Sequence, residues 1–109
     1  MTAFEDREKA FENKFAHDAQ MQFRAEMRRN KLLGYWAAEL KGLEGAEAED
    51  YARSVVQSDL EEAGHEDVVR KVLRDLNGRA DADQIRAKMA GLLPVAKSQL
   101  FTEVQNSES

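Results

Sequence analysis

The chain has no cysteine, one proline and six glycines in 109 residues. Without thiols it forms no disulfide and offers no thiolate to a metal, a composition that fits a reducing compartment. So little proline and glycine leaves small scope for long irregular loops away from the termini. No stretch approaches the ~18–20 consecutive apolar residues that span a membrane. The N-terminal MTAFEDREK carries charges where a secretory signal needs an apolar run. The expected address is therefore the cytoplasm. Basic residues are outnumbered, with a net charge of −5, which argues against general binding to nucleic acid. What is present is a charged surface (34% Asp, Glu, Lys and Arg) and enough apolar residues (42%) to close one modest core.

The apolar residues recur at helical spacing throughout, and no segment alternates as a strand does. A first helix is expected from about Gln20 to Leu43, with Met21, Ala25, Leu32, Trp36, Leu40 and Leu43 on one side and Gly42 and Gly45 as its stop. A second runs from about Ala46 to Ala63 on a stripe of Ala48, Ala52, Val55, Val56 and Ala63, and Gly64 then breaks the chain. The third covers roughly Glu66 to Leu76, buries Val69, Val72, Leu73 and Leu76, and stops at Asn77-Gly78. The fourth opens at Asp81, which forms a capping box with Gln84. Its stripe is Ile85, Met89, Leu92, Leu93, Ala96 and Leu100, with a kink expected near Gly91 and Pro94. Four amphipathic helices with short connections give an all-α fold, a small antiparallel four-helix bundle over residues 20–105, with a frayed tail at 106–109.

The stretch FEDREKAFENKFAHD, residues 4–18, stands apart from this scheme. Phe4, Phe11 and Phe15 lie within ~40° of each other on a helical wheel. Thr2 with Glu5 has the form of a capping box, and Glu5 and Asp6 suit a first turn. Yet the centre of this face is offset by roughly 60° from the stripe of residues 20–43, so one straight helix does not easily bury both. Either the helix bends and the rings cover an end of the bundle, or the segment is a helix that seeks a partner. Burying three Phe side chains yields roughly 5–9 kcal/mol, whereas ordering ~15 backbone residues costs on the order of 15–30 kcal/mol. A partner must therefore enclose the segment and pair with its charges.

Other groups each have an ordinary explanation. Arg24, Arg28, Arg29 and Lys31 form a basic cluster. It is either a solvated helix face offsetting the acidic run Glu44 to Asp50, or a docking patch for an acidic partner. Aromatics interleaved for base stacking are absent, so no nucleic-acid partner is expected. His17 beside Asp18 has no second histidine in its element and reads as a surface or packing residue, or as a pH sensor. Asp59 falls inside an apolar stripe; a hydrogen bond or ion pair to a neighbouring helix explains it, a small-molecule pocket being the alternative. No phosphate-cradling motif, nucleophile–base pair, catalytic carboxylate pair or metal-ligand spacing is visible, so no enzyme and no metal site is expected.

Taken together, F-ED-REKAFENKFAHD, RRNKLLGYWAAEL and YARSVVQSD resemble the zeta subunit of the alphaproteobacterial F-type ATP synthase. The resemblance covers nearly the whole chain, and its most specific parts are Phe11 to Asp18 and Arg28 to Ala38. It implies a four-helix bundle carrying a flexible inhibitory segment, here residues 1–19. That segment enters a catalytic αβ interface beside the γ stalk and blocks ATP hydrolysis while largely sparing synthesis. The α, β and γ subunits would be its partners, and the free protein a monomer without membrane insertion, peripheral on the inner-membrane synthase. Carried over by position, Phe4, Phe11 and Phe15 are apolar anchors, and Arg7, Glu8, Glu12 and Lys14 fix register against charges in the cleft. His17 and Asp18 complete the candidate set. The family resemblance also leaves room for weak ATP or ADP binding, without a resident cofactor. Rival readings are a helical adaptor that self-associates through the Phe face, and a nucleotide-sensing bundle with Asp59 near the ligand.

Overall fold

The computed structural model describes residues 19–61 and 64–108. Four helices follow one another: α1 (Ala19–Leu40), α2 (Gly45–Glu61), α3 (His65–Leu76) and α4 (Ala82–Glu108). Among the described residues the expected all-α class and four helices are what the structure shows. Residues 1–18, which hold the Phe stripe and nine candidate site residues, lie outside the described residues, as does Ala63.

The helix boundaries follow local chemistry. At the end of α1, Leu43 N–H donates to the Ala38 carbonyl at 2.9 Å and Gly42 N–H to that of Glu39 at 3.0 Å, with Gly42 at φ 78°. This Schellman pairing needs a left-handed residue, which glycine supplies without strain. α3 ends on Asn77, also left-handed (φ 48°, ψ 57°), whose N–H reaches the Leu73 carbonyl. The box at Asp81 forms in both directions: Asp81 Oδ1 accepts from Gln84 N–H at 2.8 Å, and Gln84 Oε1 accepts from Asp81 N–H at 2.9 Å. α4 continues through Gly91 and Pro94 and reaches Glu108.

The helices alternate in direction. The middle of α1 meets late residues of α2 and α4, Asn30 bonding Asp59 and Arg28 bonding Gln99 and Glu103, while Trp36, later in α1, lies by Lys88, early in α4. α1 packs against each of the other three helices. The main core gathers Leu33, Ala37, Val55, Val68, Val72, Leu76, Ile85 and Met89, with Trp36 and Tyr51 packed on it. A second cluster at the other end joins Ala25 to Leu100, flanked by Met21 and Leu93.

Two expected faces are corrected. In α1 the buried side runs through Ala25, Arg29, Asn30, Leu33, Gly34, Ala37 and Ala38. Leu32 and Trp36 are half-buried, and Leu40 is exposed. The true face is rotated by roughly 100° from the expected one. The expectation followed side-chain bulk, whereas the interior of α1 uses small residues so that α2 can approach closely. An alanine Cβ at Gly34 would sit 2.5 Å from Ala52 Cα. In α3, Val68 is buried and Leu73 is exposed, a rotation of the face by roughly 35° on the same wheel.

Candidate functional site

The described part of the candidate site comprises the basic cluster on α1 and Asp59 on α2. It divides into an interior and a surface part.

The interior part is a polar chain spanning three helices. Arg29 is only 4% exposed and Asn30 is fully buried. Arg29 donates from Nε and Nη2 to Asn30 Oδ1 at 3.2 and 3.1 Å, and Nη2 also donates to His65 Nδ1 at 3.0 Å. Because a guanidinium only donates, Nδ1 must accept, which places the ring proton on Nε2. That nitrogen faces Glu26 Oε1 at 3.8 Å. Asn30 in turn donates from Nδ2 to Asp59 Oδ2 at 2.8 Å. Burial lowers the Arg29 pKa from its ordinary value, and the charges of Glu26 and Asp59 oppose that shift. No buried side-chain polar atom among the described residues is left without a partner. The network thus ties the end of α2 and the start of α3 to the middle of α1.

This arrangement removes Arg29 from the basic docking patch. Its guanidinium is committed inside the bundle, a consequence of the rotated α1 face. Asp59 is half-buried, and its inward carboxylate is met by a neighbouring helix, the simpler of the two explanations for its place in an apolar stripe. His65 was not among the expected partners. Only its position just after the Gly64 break, opening α3, connects it to this chemistry, because the contact spans 36 residues of sequence.

The surface part comprises Arg24, Arg28 and Lys31. Arg28 pairs with Glu103 at 2.6 Å and Gln99 at 3.0 Å, which fastens α1 to α4. Arg24 and Lys31 are exposed; Arg24 donates a hydrogen bond to the sulfur of Met21, at 3.8 Å. Between them an open groove of about 340 Å³ has an apolar floor of Phe23, Met27, Val56 and Leu100.

A second polar cluster joins α2 to α3. Tyr51 donates its hydroxyl to Asp75 Oδ2 at 3.0 Å, and Lys71 Nζ donates to the same oxygen at 2.9 Å. Lys41 lies over the Tyr51 ring, 4.4 Å from its centre. Burial and the Asp75 carboxylate push the Tyr51 hydroxyl above its ordinary value. Burial alone would raise Asp75, but hydrogen bonds from Lys71 and Tyr51, with the charges of Lys71 and Arg74, hold it below.

No group of three or more acidic or histidine side chains among the described residues is arranged to hold a metal ion. Among the same residues no helix is long and apolar enough to cross a membrane.

The comparison with protein families is decisive. The model of the family ATPase inhibitor subunit zeta matches residues 1–99. The chain belongs to that family. As a member of the zeta family it carries an inhibitory role toward an ATPase and associates with the F-type enzyme. A search of curated proteins found no match. Among solved structures, a protein known by solution NMR is 59% identical, with a TM-score of 0.71 over 76% of this chain and 98% of the other. The fold is therefore also seen in an experimental structure of a protein similar in sequence.

Proposed function

We propose that this zeta-family chain is a non-catalytic regulatory subunit. It inhibits ATP hydrolysis by the F-type ATP synthase through insertion of residues 1–19 into a catalytic αβ interface beside the γ stalk. The observation that carries this reading is the extent of the family match. It begins at residue 1 and so includes the phenylalanine stripe that precedes α1. In the cleft, Phe4, Phe11 and Phe15 fill apolar pockets. Arg7, Glu8, Glu12, Lys14, His17 and Asp18 set register against charged walls, and the enclosing contact offsets the cost of ordering the segment. The bundle anchors the wedge at the head of the enzyme, on its cytoplasmic side. Rotation in one direction grips the wedge, and rotation in the other expels it.

The test is to delete residues 1–19 and to measure ATP hydrolysis and ATP synthesis by the cognate enzyme. The full chain should suppress hydrolysis and largely spare synthesis, and the truncated chain should suppress neither. Full inhibition by the truncated chain would assign the wedge to another element.

A further inference from the structure

Arg29 is a buried cation without an ion pair among the described residues. It is 4% exposed, yet its guanidinium bonds only neutral groups, Asn30 Oδ1 and the accepting Nδ1 of His65. Glu26 and Asp59 act on it through space alone. Buried charges are normally paired directly, because a desolvated lone ion is costly. Nε and Nη2 carry all of these bonds, and Nη1, itself a donor, bonds nothing among the described residues. No fully buried side-chain polar atom there lacks a partner, so Nη1 carries what exposure Arg29 retains.

Arg29 forms part of the wall of a groove of about 160 Å³ between α3 and α4. Val69, Met89, Ala90 and Leu93 make most of that wall apolar. The more exposed His65, Glu66 and Arg86 form its rim. Glu66 is the one carboxylate lining the groove, and Arg86 already engages both of its oxygens, at 2.7 and 3.2 Å. An apolar wall thus adjoins a cation short of an anion, in a chain whose net charge is −5.

We infer that this groove binds a short-chain carboxylic acid as its anion, with the carboxylate on Arg29 and the alkyl tail against Met89 and Leu93. The free edge of a guanidinium matches a carboxylate in shape, and charge-assisted hydrogen bonds are the strong ones. The tail gains by leaving water for the apolar wall. The groove is smaller than the ~300 Å³ at which sites for drug-sized ligands begin, so it suits a short alkyl chain rather than a nucleotide. His65 opens α3 and shares Arg29 with the ligand, so occupancy is felt at the start of that helix. The site lies wholly within the bundle and is independent of the inhibitory role of residues 1–19.

The test is a titration of the full chain followed by its NMR methyl and amide resonances. The probe is sodium isovalerate, set against isovaleramide, its uncharged isostere, and against sodium chloride at equal ionic strength. Isovalerate should shift the Met89 and Leu93 methyls and the His65 amide saturably in the millimolar range. Isovaleramide should bind ~10-fold more weakly, for want of the charge-assisted bonds. Ala90→Glu places a fixed carboxylate at an exposed position of the groove, and should weaken isovalerate ~10-fold by like-charge repulsion once a thermal melt confirms folding. No saturable shift at tens of millimolar isovalerate would overturn the site. So would an equal response to isovaleramide, which would leave an apolar contact only. The same shifts with sodium chloride would reduce the effect to screening, and undiminished binding by Ala90→Glu would put the acid elsewhere; either result overturns the inference.

Discussion

Gly34 lies where α1 passes close to α2, with the Ala52 backbone in the space a side chain would need. Gly34→Ala must move backbone, because the atom it meets at 2.5 Å is a Cα and not the tip of a flexible chain. A helix-interior glycine is normally improved by alanine, by about 1 kcal/mol. Here the sign reverses: a loss of about 1–3 kcal/mol is expected from overpacking, read as a lower midpoint in urea unfolding. A stability gain would mean that the two helices can separate freely. Asn30 has a different kind of importance. It accepts from Arg29 and donates to Asp59, so Asn30→Ala leaves a buried guanidinium and a half-buried carboxylate each short of a partner. A cost of about 1–3 kcal/mol is expected from the same unfolding measurement. A double variant with Asp59→Ala should cost less than the sum of the single ones, since the two residues share one bond. Strict additivity would deny the coupling.

Between elements, the Tyr51–Asp75 bond carries a pH signature. The folded Asp75 carboxyl lies below its ordinary value, so its contribution is complete above the unfolded pKa of about 3.9 and fades as pH falls through the folded value. The Tyr51 hydroxyl is raised, so its contribution is complete below the unfolded pKa of about 10 and fades as pH rises beyond it. Tyr51→Phe should therefore flatten the alkaline flank of the stability profile and soften the acid one, with about 1–2 kcal/mol lost at neutral pH. Urea unfolding across pH checks this, and unchanged flanks would show that other groups set them. The helix ends were legible in the sequence because their determinants are local: Gly42 and Asn77 supply left-handed residues, and Asp81 and Gln84 lie three apart. The α1 face was not legible, because it is defined by what it lacks in bulk and by polar residues whose partners lie 29 and 36 positions away. For the same reason the basic cluster read as one patch. Four cations within eight residues give no sign that Arg29 turns inward while Arg24 and Lys31 remain outside.

At the scale of the molecule, anchor and wedge should be separable. The two core clusters among the described residues draw on all four helices, and α1 supplies contacts to each of the others. Residues 1–18 precede α1, which begins at Ala19. A chain shortened by residues 1–18 should then melt cooperatively with a Tm within about 5 °C of the full chain, because ~1 kcal/mol corresponds to 4–8 °C in a domain of this size. The same preparation should have lost inhibition of ATP hydrolysis. A fall in Tm of more than about 15 °C would instead make the three phenylalanines part of the core. Insertion into the ATPase would then require the bundle to give up its own stability, and inhibition should weaken as the bundle is stabilised by other means.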